Sequence, residues 1–170
     1  MKKEKEIRYI ELINANKGLI MKVCSMYAQN RDDFKDLRQD ILMQVWKALD
    51  SFRGDSKIST WMYRIALNCA ILNHRRSGRT ILASGDLFPV SDIAADKEPE
   101  FGPEDFNVLH AAIRLLPEVD RAIILLYLEE HPHEEISQVM GMTVNNISVR
   151  ILRIKKRLKS ILEQHGYNLA

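Results

Sequence analysis

Long apolar runs are the first thing this sequence lacks. No stretch approaches the roughly 20 residues that a membrane helix needs. The opening MKKEKEIRYIEL alternates charges where a signal peptide would carry an apolar core. No membrane insertion is therefore expected. Breakers are scarce as well, with 7 Gly and 5 Pro in 170 residues. Together with little alternation of apolar and polar residues, this points to helices rather than strands. The two cysteines, Cys24 and Cys69, sit in apolar-rich stretches at helical spacing. They read as buried thiols of a reduced, cytoplasmic chain rather than as a disulfide framework. Signatures of catalysis are missing too: there is no Gly-rich phosphate loop and no Ser-His-Asp or Cys-His arrangement. His131, His133 and Glu134 lack the i, i+4 pairing of a helical metal site, and Pro132 places both histidines in a turn, where solvent exposure is expected. No metal, no cofactor and no enzymatic activity of its own are expected.

What is present is charge, unevenly divided. The net charge is only +2, yet residues 1–79 hold 16 Lys and Arg against 9 Asp and Glu. Residues 80–107 hold one Lys against seven acids. Beyond them, six bases lie between Arg150 and Lys159 with no acid among them. Two basic zones around an acidic stretch suit a protein that meets a polyanion at two places, although solvated helix faces would give the same pattern.

The acidic stretch from Thr80 to Phe106 contains three of the five prolines (Pro89, Pro99 and Pro103) and no sustained periodicity. It reads as a linker. The expected organisation is all-α: a first helical domain at 1–79, an acidic linker at 80–106, and a second helical domain at 107–170. In the first domain, Phe34, Leu37, Ile41, Val45 and Leu49 form one apolar stripe, and Leu19, Ile20, Val23, Met26 and Tyr27 suggest an earlier helix. After a turn-rich break at 50–56, Ser59 or Thr60 is expected to cap a third helix. On it Trp61, Ile65, Cys69 and Leu72 share a face, with Thr60, Arg64, Asn68 and Arg75 on a neighbouring one.

In the second domain, Val108–Leu116 reads as a helix, and Pro117 can open the next, which ends at His131-Pro132. Ile123, Ile124, Tyr127 and Leu128 supply its core face. Ile136, Val139 and Met140 then give a short helix, Gly141 a tight turn, and Ile147, Ile151, Ile154 and Leu158 a second amphipathic helix. This is a helix-turn-helix pattern, or else an αα-hairpin with a basic face. Asn145, Asn146, Ser148 and Val149 are short enough to approach base edges: Asn can bond adenine twice and Val can touch a thymine methyl. Arg150, Arg153, Lys155, Lys156, Arg157 and Lys159 are placed to neutralise phosphates. Ser137 stands at a tightly packed position where Ala is usual.

Read together, the two halves resemble the bacterial sigma factors, specifically the extracytoplasmic-function (ECF) subfamily. The stretch Asp36-Leu-Arg-Gln-Asp-Ile-Leu-Met-Gln-Val-Trp-Lys-Ala-Leu49 looks like region 2.2 of that family, and Phe52-Arg-Gly-Asp-Ser-Lys-Ile-Ser-Thr-Trp-Met-Tyr-Arg-Ile-Ala-Leu-Asn68 looks like regions 2.3 and 2.4. Leu116-Pro117, Arg121, Glu135-Ile136, Gly141 and Asn146-Ile147 through Leu158 resemble region 4. The resemblance implies three contacts. Asp36, Gln39, Asp40, Gln44 and Trp46 would bind core RNA polymerase, at the clamp helices of its largest subunit. Phe52, Lys57, Trp61, Arg64, Asn68, Arg75 and Arg76 would capture the −10 element as single strand. Within that set Trp61 reads more readily as a core residue, and Phe52 and Asn68 as the base contacts. Asn145, Asn146, Ser148, Val149, Arg150, Leu152, Arg153, Lys156 and Arg157 would read the −35 duplex. An anti-sigma protein is a further implied partner. The family commonly has Lys or Arg at the position of Ser148 and Ser at that of Val149, so the promoter sequence does not carry over from relatives. An autonomous helix-turn-helix regulator is the rival reading, but it leaves the FRGDS…TWMYRIALN run unexplained.

Overall fold

The computed structural model describes residues 2–78 and 103–166, and the side chains of 103–107 are outside the description. All regular structure among the described residues is helical. The chain divides into two compact units, Met1–Ser77 and Gly78–Ala170. Most of the expected acidic linker, residues 80–102, lies outside the described residues.

Unit 1 holds α1 (Lys2–Ala15), α2 (Lys17–Tyr27), α3 (Arg31–Ala48), a 3-10 turn (Leu49–Ser51) and α4 (Ile58–Arg76). Its core is made where α2, α3 and α4 pack together. Leu19, Ile20, Val23, Cys24 and Met26 come from α2, Leu37, Ile41 and Val45 from α3, and Met62, Tyr63, Ala66, Leu67 and Ala70 from α4. The stripe read on α3 is the buried one, with Phe34 at its half-exposed margin. Asn30 caps α3, its side chain accepting from the N–H groups of Asp32 (3.0 Å) and Asp33 (2.9 Å). Those two acids also sit where the helix dipole favours them.

Two expectations fail on α4. The helix begins at Ile58 behind Lys57, and no side chain caps it; Thr60 is buried inside the first turn instead. The apolar face is also rotated. Trp61, Ile65 and Cys69 are only half-buried and Leu72 is 52% exposed, because the core side of α4 is the one carrying Met62, Tyr63, Ala66, Leu67 and Ala70. Two alanines there let the helices approach closely, so the bulkier residues are left for the outer face.

Helix α1 was not anticipated. It buries no residue fully and lies on α3 through the Tyr9 side chain. The Tyr9 hydroxyl donates to the Leu42 carbonyl at 3.0 Å, and its ring meets Trp46 edge-on at 5.2 Å. Lys5 pairs with Asp50 and stands over the Trp46 ring at 4.6 Å.

Unit 2 holds α5 (Pro103–Arg114), α6 (Glu118–Leu128), α7 (His133–Met140) and α8 (Val144–Gln164). Helix α5 starts at Pro103, inside the expected linker; proline suits the first helical position because its missing N–H would be unpaired there anyway. The core combines Ala112, Ile113 and Leu116 with Ala122, Ile123, Ile124 and Leu126, closed by Ile136, Val139, Ile147, Ile151 and Ile154. Leu128, read as part of the α6 core face, is exposed, and Tyr127 is half-buried. The turn between α7 and α8 has the expected chemistry. Gly141 adopts φ 65°, and a Cβ there would touch nothing within 4 Å, so the need is for left-handed backbone rather than space. Ser137 donates its hydroxyl to the Met142 carbonyl across this turn, which gives its presence in place of alanine a reason. Thr143 then caps α8, accepting from the Asn146 N–H at 3.2 Å.

Candidate nucleic-acid interface

Each unit turns one ridge of a long helix away from its core. In unit 1 the ridge belongs to α4. Opposite its buried side lie Arg64, Asn68, Leu72, Arg75 and Arg76, all exposed, with Trp61 and Ile65 half-buried beside them. The loop before α4 folds Phe52 onto Trp61, ring centroids 5.1 Å apart at 49°. Both rings keep a partly open face. Gly54 at φ 80° makes the bend that brings Phe52 back to the helix. Lys57, exposed, ends the loop. The structure therefore gathers Phe52, Lys57, Trp61, Arg64, Asn68 and Arg75 along one side. Trp61 is neither a core residue nor fully exposed: it is the inner half of an aromatic wall. Leu72 belongs to this ridge and was missed, because its helical spacing from Trp61 made it look like core.

On α3, Asp36, Gln39, Asp40 and Gln44 are exposed together, with Met43 among them. Trp46 departs from the expectation of a freely presented contact. It is half-buried beneath Tyr9 and Lys5 of α1.

In unit 2 the ridge belongs to α8. Ile147, Ile151, Ile154 and Leu158 face the core, so Asn145, Val149, Leu152 and Lys156 point directly outward. Asn146, Arg153 and Arg157 are exposed on one flank. Arg153, Lys156 and Arg157 have no ion-pair partner among the described residues. Two of the expected reading residues are held by the protein instead. Ser148 is half-buried, its hydroxyl 2.9 Å from Nδ1 of His133 on α7 and donating to the Val144 carbonyl at 3.1 Å. Arg150 turns toward α6, its Nε 3.6 Å from Asp120 and a second nitrogen 4.0 Å from the Met142 sulfur. Lys155 bonds the Tyr127 hydroxyl and covers that ring at 4.2 Å. Their shared cause is rotation: positions flanking the buried stripe meet α6 and α7 before they meet solvent.

The histidines are also not where the turn suggested. His131 is half-buried between Glu129 (3.7 Å) and Glu135 (3.0 Å), and His133 is half-buried against Ser148. No group of three or more metal-ligating side chains is assembled among the described residues. Cys24 and Cys69 form no disulfide. Burial pushes the Cys24 thiol up to about 12 and the Cys69 thiol up to about 11, so both stay protonated and unreactive at neutral pH. None of the described helices is long and apolar enough to cross a membrane.

The family model for Sigma-70 region 2 matches residues 12–80, and that for Sigma-70 region 4 matches residues 106–158. The ECF RNA polymerase sigma-E factor of Escherichia coli K12 is 32% identical over 144 residues, covering 74% of this chain and 72% of that protein. The chain belongs to the ECF sigma factors. The RNA polymerase sigma-H factor of Pseudomonas aeruginosa is 30% identical over 165 residues, covering 86% of this ECF factor and 79% of that one. Among solved structures, the sigma factor RpoE of Bartonella quintana, crystallised with the anti-sigma factor NepR, aligns with a TM-score of 0.65. It shares 24% identity and covers 95% of this chain and 98% of that one, a likeness of fold. The α4 ridge lies within the region 2 match and the α8 ridge within the region 4 match.

Proposed function

We propose a division of labour for this alternative sigma factor, which binds core RNA polymerase and directs initiation at particular promoters. Unit 1 does two things. The exposed face of α3, through Asp36, Gln39, Asp40 and Gln44 with Met43, docks on the clamp helices of the polymerase. The α4 ridge and its preceding loop take the −10 element as single strand. An unpaired base stacks on the Phe52–Trp61 wall, Asn68 bonds its edge, and Lys57, Arg64, Arg75 and Arg76 hold the phosphates. Unit 2 lays α8 into the major groove of the −35 duplex, with Arg153, Lys156 and Arg157 on phosphates. The polymerase supplies the chemistry, and the factor supplies recognition. The factor works in the cytoplasm, where the polymerase is. An anti-sigma protein is a further proposed partner, a reading supported by the Bartonella neighbour having been crystallised with one.

The observation that carries this reading is the tilted Phe52–Trp61 pair in line with exposed Asn68. An aromatic wall beside an amide serves an unstacked base, and a reader of closed duplex has no use for it. The test is permanganate reactivity of unpaired thymines in the polymerase–promoter complex. Base–aromatic stacking is worth roughly 1–3 kcal/mol. Phe52→Ala and Asn68→Ala should therefore reduce promoter opening by about tenfold while leaving core binding intact. A promoter premelted across the −10 element should rescue both in part. Normal opening by both variants would place base capture elsewhere.

A further inference from the structure

The α8 ridge is aliphatic where a DNA-reading helix most often carries a cation. Outward positions run Asn145, Val149, Leu152, Lys156, and the two central ones are 39% and 62% exposed. Neither contributes to the core, which Ile147, Ile151, Ile154 and Leu158 close on the opposite side. The nearest polar competitor, Ser148, is drawn aside by His133 and the Val144 carbonyl. Exposed Arg153 and Arg157 run along one flank and exposed Lys156 follows on the ridge, so the two aliphatic side chains border a basic surface.

The major groove offers one apolar feature, the C5 methyl of thymine. Guanine is usually taken by Arg or Lys in two hydrogen bonds, and no such residue stands on this ridge before Lys156. We propose that this factor reads its −35 element through thymine methyl groups, with Val149 and Leu152 as the specificity-determining residues on neighbouring base pairs. The spacing suits this: three residues of helix advance about 4.5 Å, against about 3.4 Å for one base-pair step. Asn145, one turn earlier, is placed to bond an adenine of the same A·T-containing tract. The inference rests on α8 being the −35 reader and names the base chemistry that it reads.

The test uses the full-length protein on core polymerase with a promoter pool randomised across the −35 element. The best-bound sequence is then remade with uracil in place of each thymine, which removes the methyl and nothing else. Thymine should be enriched at two neighbouring positions. Uracil at either should weaken binding by about fourfold, the worth of one buried methyl. Leu152→Ala should be indifferent to the swap at one of those positions, and Val149→Ala at the other. If the pool converges but uracil DNA binds as well as thymine DNA, methyl reading is wrong while the −35 assignment stands. If the pool shows no −35 preference, the assignment of α8 itself falls and this inference with it. If Leu152→Ala weakens core binding and leaves promoter affinity unchanged, the ridge is a protein contact and the proposal fails.

Discussion

Unit 1 and unit 2 are both small helical bundles of similar size, yet they bury different chemistry. Among the described residues, unit 1 encloses no charged side chain, and its interior ends in Thr60 and the thiol of Cys24. Unit 2 encloses Arg121 at 1% exposure, with His110 also buried. The Arg121 guanidinium donates to the Leu116 carbonyl at 3.1 Å, tying the turn after α5 to the first turn of α6. Burial, with Arg114 and Arg121 alongside, pushes His110 down to about 4. The contrast teaches that the interior of the first unit is packed from apolar and uncharged groups, while the interior of the second holds a guanidinium and a neutral imidazole. Both tryptophans, Trp46 and Trp61, lie in unit 1, so their fluorescence reports that unit alone, whereas far-UV circular dichroism reports both.

The largest expected effect is at Arg121. Truncation by Arg121→Ala removes a buried side chain and orphans a carbonyl, which should destabilise unit 2 by about 3 kcal/mol or more. Arg121→Met keeps the volume and should recover most of that loss. Urea unfolding should show the shift by circular dichroism with the tryptophan midpoint unchanged. A matching shift in fluorescence would break the comparison.

Next comes pH, with opposite signs in the two units. The unfolded chain protonates His110 near 6.5, well before the folded one does at about 4. The stability that His110 contributes as a neutral group is thus complete above about 6.5 and is lost as pH falls toward 4, by up to roughly 3 kcal/mol. In unit 1 the sign reverses. The Cys24 thiol is raised from 9.0 to about 12, so its contribution is complete below 9 and is lost as pH rises toward 12. At pH 10 the loss should be roughly 1 kcal/mol. His110→Gln should flatten the acid limb seen by circular dichroism, and Cys24→Ala should halve the alkaline limb seen by fluorescence, the Cys69 thiol supplying the rest. Equal acid sensitivity of both probes would contradict the assignment to His110.

The region 4 turn-and-helix was legible because its apolar residues recur at clean spacing and Gly141 marks the turn. The stripe on α3 was legible for the same reason. Helix α1 was not: its apolar residues never line up into one buried face, and it is held by Tyr9 on Trp46, a contact between distant parts of the chain. The rotation of α4 was hidden because Ala66 and Ala70 build the core while carrying little hydrophobic weight, and the larger Trp61 and Leu72 give the outer face the stronger apolar signal. The exposed ridges of α4 and α8 were legible as residue types on one helix each. Which members are held back, Ser148 by His133 and Arg150 by Asp120, depends on packing against helices that sequence spacing does not relate.

The smallest effect expected concerns the turn that leads into α7. Glu130 is the non-glycine residue with positive φ among the described residues, at 61°. Glu130→Gly should relieve that backbone and stabilise unit 2 by about 0.5–1 kcal/mol, read as a higher circular dichroism midpoint. Destabilisation would mean that the glutamate side chain holds the turn.

The Ser148–His133 hydrogen bond bears on which positions of α8 can change alone, if α8 reads the −35 element as proposed. Asn145, Val149 and Leu152 are exposed and take no part in the core, so, on the proposed −35 reading, single substitutions there would change base preference without disturbing the bundle. Position 148 is different, because a longer side chain there would abandon His133 and leave its ring to find another partner. Change at 148 is therefore expected to arrive paired with change at 133, while the ridge beside it changes one residue at a time.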